Sequence, residues 1–155
     1  MGRKQAREAA VKTLYQVDVG GVDPEKAIEN VALMDKIAPG DMDFVRDLVL
    51  GSIMHLADID AIIAALSKDW NVDRMPRVDC NIMRMAIFEL LYRDDIPAGV
   101  TVNEAVNLAK TYGSELSGKF VNGILGRVVR EYAPNEPAEN SIKKNSSAVE
   151  GRIDQ

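Results

Sequence analysis

The chain has little of what most catalytic and metal sites are made from: one cysteine, Cys80, and one histidine, His55, in 155 residues. A disulfide within the chain is therefore impossible and a cluster of soft metal ligands cannot form, so the expected setting is reducing and cytoplasmic. Long apolar runs are also missing. Nothing approaches the roughly 18 to 20 apolar residues of a membrane span, and the chain opens on Gly2-Arg3-Lys4, which speaks against a signal peptide or an anchor. No stretch of strand length alternates apolar with polar residues, which excludes a sheet and any glycine-rich phosphate loop that would follow a strand. His55, between Met54 and Leu56, has no cysteine or serine nearby in a nucleophile turn and reads as a structural histidine. Asp41, Asp43 and Asp47 have the spacing of a helix cap and a solvated face rather than of a hard-cation site. Neither catalysis, nor a metal, nor a cofactor is expected.

What is present is helical spacing and unevenly placed charge. With 46% hydrophobic residues, the chain can bury one core as one domain. The net charge of −5 argues by itself against a polyanionic partner. Its distribution argues otherwise. Residues 1–15 hold Arg3, Lys4, Arg7 and Lys12 against Glu8, whereas residues 23–60 hold nine acids against Lys26, Lys36 and Arg46. Only a local patch within a Debye length of about 10 Å is felt by a ligand, so an acidic total leaves a basic patch free to act.

Seven helices follow from the apolar periodicity. The first runs from near Arg3 to Val17 on the stripe Ala6, Ala10, Leu14, Val17 and breaks at Gly20-Gly21. Asp23-Pro24 caps a second, which reaches about Lys36. Pro39-Gly40-Asp41 introduces a third with Phe44, Val45, Leu48, Val49 and Ile53, and Asp58 is expected to cap a short fourth that ends near Trp70. After a connection over residues 71–77, Asp79 is expected to cap the most apolar helix, Ile82 to Leu91. Thr101-Val102-Asn103-Glu104 has the reciprocal capping pattern and would open the sixth, with Glu104 in a structural role. The seventh starts at Ser114 or Ser117 and runs to about Tyr132. Without a repeat period, this is a compact all-α fold over residues 1–132, and the polar residues 133–155 read as a disordered tail.

Two features point towards RNA. Arg3 and Arg7 stand one turn apart with Lys4 beside them, at a helix start where like charges and the macrodipole both oppose them by a few tenths of a kcal/mol. A phosphate backbone would reverse both penalties. Tyr15, and Phe120 after Lys119, are rings of the kind on which single-stranded bases stack, with core packing as the competing role for both. Glu89, inside an apolar helix, needs an arginine or a backbone amide, since an unpaired buried carboxylate costs several kcal/mol. Asn122-Gly123 suggests close helix packing or a side-chain bond to backbone.

Four segments in register resemble the NusB family from about residue 3 to 131. They are Arg3-Lys4-Gln5-Ala6-Arg7-Glu8 with Leu14-Tyr15; Ile82 to Leu90 with Ile96-Pro97; Val102-Asn103-Glu104-Ala105-Val106 with Leu108-Ala109-Lys110; and Lys119 to Leu125. The resemblance implies a fold of two three-helix bundles sharing the N-terminal helix and a role in transcription antitermination on ribosomal RNA operons. It further implies binding of boxA RNA together with a small-subunit ribosomal protein (NusE), in a complex with RNA polymerase and other Nus factors. Carried over by motif, Arg3, Lys4, Arg7, Tyr15, Lys119 and Phe120 would face RNA, and Asp79 and Met83 would lie near the ribosomal protein. Monomer and homodimer both stay open. The competing readings are a NusB-like protein-interaction module without RNA specificity, against which the absence of a downstream catalytic domain counts, and a helical hydrolase, against which the missing catalytic constellation counts.

Overall fold

Asp23 shows how local chemistry sets a boundary: its carboxylate accepts the Lys26 amide at 3.3 Å, and Pro24, which has no amide to satisfy, is the first helical residue. In the computed structural model, which describes residues 2–67 and 71–132, seven helices follow: α1 (Gly2–Gly20), α2 (Pro24–Met34), α3 (Pro39–Met54), α4 (Leu56–Leu66), α5 (Arg77–Tyr92), α6 (Ala98–Tyr112) and α7 (Ser117–Glu131), with a 3-10 turn at Val72–Arg74. No strand occurs among the described residues. No single helix is long and apolar enough to cross a membrane. The expectations for Trp70 and for residues 133–155 fall outside the described residues.

The first three helices pack on one another as one bundle, and α5, α6 and α7 form a second, with α4 laid against α5 and α7. α1 also packs along α5 and so belongs to both. α5 is the axis of the molecule, with every residue from Asp79 to Leu91 buried. Where α3 crosses it, Gly51 lets the Phe88 ring touch the helix backbone, and a Cβ there would overlap the ring. His55, between α3 and α4, stacks on Tyr92 with ring centroids 3.9 Å apart, which gives it the structural role its sequence setting indicated.

Several expected caps are corrected. Asp79 lies inside the first turn of α5, which begins after Pro76, and its carboxylate accepts from Ser117 Oγ at 2.9 Å instead of from a backbone amide. α6 begins at Ala98 after Pro97, so Thr101 and Glu104 stand within the helix and make no capping box. Asp41 and Asp58 are likewise inside α3 and α4, whose boundary residues are Ala38 and His55. α4 ends at Leu66, where the Ser67 hydroxyl bonds back to the Ile63 carbonyl. Gly123 faces open space and Asn122 is exposed, so neither marks close packing.

Glu89 is fully buried, and Arg7 of α1 reaches it with two parallel bonds, Nε to Oε2 and Nη2 to Oε1, both 2.8 Å. Thr101 Oγ1 of α6 donates a third bond to Oε1 at 2.9 Å. One carboxylate thereby joins α1, α5 and α6. A second network ties the far end of α1. Asp18 accepts from Arg77 Nε at 2.9 Å and Asn81 Nδ2 at 3.0 Å, while Arg84 forks onto Asp60 of α4 with two bonds of 2.8 Å.

Two predictions follow from these networks. Arg7→Ala leaves a buried carboxylate without its counter-charge and is expected to lower stability by about 3–5 kcal/mol in urea unfolding. Replacing Arg7 by Met together with Glu89 by Leu should cost clearly less, and equal losses would mean that the charge itself is not what matters. For Asp18, burial raises the carboxyl pKa, but the bonds from Arg77 and Asn81 outweigh this and hold it below its ordinary value. The ionised form is thus favoured by folding, a contribution present above about pH 4 and lost as pH falls through the folded value. Asp18→Asn should therefore lower the urea midpoint at pH 7 and differ progressively less from the parent below pH 4. A pH-independent difference would rule out the charge as its source.

Candidate nucleic-acid interface

On α1, Lys4, Glu8, Lys12 and Tyr15 recur at i, i+4, i+8 and i+11, so they share one face over about 16 Å of helix. Lys4 is exposed and has no carboxylate in ion-pair reach among the described residues. Lys12 bonds to Asp35 at 3.1 Å, and this bond raises its pKa against a smaller opposing effect of burial. Tyr15 is 39% exposed. Arg3 turns to the other flank, where its guanidinium lies 4.1 Å above the Phe44 ring and 4.0 Å from Asp95. Asp95 is already taken by two bonds from Arg93, at 3.0 and 2.9 Å, so Arg3 is only loosely held.

Arg7 is not part of this surface. At 4% exposure, with Nε and Nη2 committed to Glu89, its guanidinium is held in the core rather than displayed on the surface, contrary to its place in the expected RNA-facing set. Asp79 and Met83 are corrected in the same way. Met83 is wholly buried in the core, and Asp79 is 3% exposed, so neither presents a side chain to a partner and both act through the fold. Burial pushes the Asp79 carboxyl up, only partly offset by Ser117, and its Oδ1 has no hydrogen-bond partner.

The corner between α6 and α7 brings up the remaining residues. Ser117 Oγ accepts the Ser114 amide at 2.8 Å and donates to Asp79, pinning the start of α7 to the start of α5. Gly113 sits directly against Ser117, where a Cβ would collide with the hydroxyl. Lys119 in the first turn of α7 is exposed, and Phe120 is half-buried against the core. Between α1, α2 and the ends of α5 and α6 opens a cavity of about 380 Å³, lined by the apolar or aromatic Val11, Tyr15, Val31, Met34, Val78 and Tyr112 and the polar Glu8, Lys12, Gln16 and Asp35. Tyr15 is therefore brought to the α6–α7 end of the molecule, whereas Arg3 lies on the flank facing α3. Tyr112, Met34 and Asp35 were not singled out by the sequence. The available signal was an aromatic side chain just before the helix-ending Gly113.

No group of three or more histidine, cysteine or acidic side chains among the described residues could hold a metal ion. The surface offers cations, exposed rings and an apolar recess, the elements of a binding face.

Both the sequence and the fold have known relatives. The family profile described as NusB family matches residues 4–130. The transcription antitermination protein NusB of Pelotomaculum thermopropionicum is 53% identical over 141 residues, covering 86% of this chain and 95% of that protein. Among solved structures, T. maritima NusB superposes with a TM-score of 0.82 at 35% identity, over 92% of this chain and 98% of that one. A structure of the antitermination factors NusB and NusE in complex with double-stranded RNA gives 0.77 at 30% identity, over 84% and 97%. With the profile spanning nearly all of the helical region and the relative matching across its own length, the chain belongs to the NusB family of transcription antitermination proteins, a family without enzymatic activity.

Proposed function

We propose that the chain binds the boxA element of ribosomal RNA operon transcripts together with the ribosomal protein NusE, and joins RNA polymerase and other Nus factors in an antitermination complex. The observation that supports this most directly is the pair of exposed cations, Arg3 and Lys4, at the open start of α1 in a chain whose net charge is −5. Most other arginines near carboxylates are tied to them: Arg7 to Glu89, Arg46 to Glu25, Arg77 to Asp18, Arg84 to Asp60 and Arg93 to Asp47 and Asp95. Arg3 and Lys4 are exposed cations that can exchange water for phosphate without breaking a buried ion pair. In this reading Tyr15, Lys119 and Phe120, towards the α6–α7 end of the molecule, add rings and a further cation. The related structure containing NusB, NusE and RNA supports both partners.

Labelled boxA-type RNA should bind this protein, more tightly with NusE present, and binding should weaken steeply as salt rises. Each phosphate contact on single-stranded RNA contributes about 0.7 to the slope of log affinity against log salt. Replacing Arg3 and Lys4 by Ala should therefore flatten that slope by up to about 1.4 while leaving the unfolding free energy within about 1 kcal/mol of the parent. An unchanged slope would exclude these two residues from the phosphate contacts. Equal affinity for a scrambled RNA would instead favour an interaction module without RNA specificity.

A further inference from the structure

We propose that Phe44 of α3 is a positioning residue for RNA binding: its ring holds the Arg3 guanidinium in place at the surface while leaving the N–H donors of that group free for a phosphate. The proposal rests on the RNA reading given above and adds the residue that prepares one of its two cations.

Phe44 is 8% exposed and packs into the core, yet three guanidiniums gather over its ring, Arg3 at 4.1 Å from the centroid, Arg93 at 5.1 Å and Arg7 at 5.5 Å. All three lie within the range of about 6 Å over which the face of an aromatic ring attracts a cation. They differ in what their N–H groups do. Arg7 gives Nε and Nη2 to Glu89, and Arg93 gives Nε and Nη2 to Asp95 and Nη1 to Asp47. Arg3 makes no hydrogen bond to any described residue, and its ion-pair contact with Asp95 is 4.0 Å long.

That difference matters for a polyanion. A carboxylate and a phosphate compete for the same guanidinium edge, because both accept the in-plane fork of N–H bonds. A ring does not compete. It attracts the charge and leaves the fork unspent, so of the three arginines Arg3 alone is both restrained and available. An arginine that moves freely in water gives up rotamer freedom when a phosphate fixes it, whereas one already resting on a ring has given up part of that freedom during folding. The same geometry follows from the core. Arg3 stands one turn before Arg7 on α1, so the Arg7–Glu89 fork that sets the rotation of the helix also aims Arg3 at α3.

The test measures binding of labelled boxA-type RNA to the full chain with NusE, for the parent, Phe44→Leu, Phe44→Tyr, Arg3→Ala and the double variant Arg3→Ala with Phe44→Leu. Removing the ring in Phe44→Leu should weaken binding by about 2- to 5-fold, the size of an exposed cation–ring contact. Its salt slope should stay like the parent's, because Arg3 keeps its charge, whereas Arg3→Ala should flatten the slope by up to about 0.7. Once Arg3 is gone, adding Phe44→Leu should change the affinity no further. Phe44→Tyr keeps a ring and should bind as the parent does. If Phe44 only supports the fold, Phe44→Leu carries the same penalty with and without Arg3, and that result overturns the proposal, as does parent-like binding by Phe44→Leu. Both leave the RNA reading in place. Parent-like affinity and salt slope for Arg3→Ala, or failure of the parent to bind the RNA, overturns the proposal together with the phosphate contact on which it rests. Should Phe44→Leu not fold, NMR of the parent decides: the ring should shift the Arg3 Hδ protons upfield both in the free protein and at saturating RNA, and loss of that shift on RNA addition overturns the proposal.

Discussion

The structure depends on a single buried carboxylate. Glu89 sits in the middle of α5 with no access to water, and a charge in that position is tolerated only when it is both neutralised and fully hydrogen-bonded. Arg7 and Thr101 meet that demand from the helices on either side, one from each bundle. The forked contact constrains more than distance. Two parallel bonds to a planar guanidinium fix the rotation of α1 about its own axis, and with Arg7 pointing inward the spacing of about 100° per residue turns Lys4, Glu8, Lys12 and Tyr15 outward together. The orientation of the candidate interface is thus a consequence of the core.

This accounts for both what could be read in the sequence and what could not. The number of helices and the buried face of each follow from apolar spacing, because that signal repeats over several turns. Caps are single residues, and theirs is a weak signal whenever the same side chain has a long-range option. Thr101 has the local pattern of a capping box but bonds to Glu89 twelve residues away, and Asp79 bonds to Ser117 on α7 instead of to its own helix. Asp23 has no such competitor and behaves as its pattern indicates.

The site was legible to a similar degree. Arg3 and Lys4 are exposed as their position suggests, whereas Arg7 looks like a third member of the same cationic group. Two clues in the sequence distinguished it. Arg7 stands three residues before Ala10 and seven before Leu14, on the buried stripe, and an acidic residue in an apolar helix required an arginine from elsewhere. Each clue is ambiguous by itself; together they assign Arg7 to Glu89. Met83 illustrates the reverse case, in which a motif that marks a family is carried by residues that build the core.

A net-negative protein can offer a polyanion a favourable surface when its carboxylates are already engaged where that surface lies. Asp95 is held by Arg93 and Asp35 by Lys12, so these two acids, one beside Arg3 and one at the cavity, are compensated locally. Arg93 does this from beneath Arg3, and both guanidiniums lie within 5.1 Å of the Phe44 ring, whose attraction for cations offsets part of their mutual repulsion. Arg3 is therefore kept close to the surface without a strong partner of its own. A cation restrained by a ring and not by a carboxylate loses little on transfer to phosphate, and that small difference is what lets the start of α1 serve as a binding arm while the next arginine along holds the fold together.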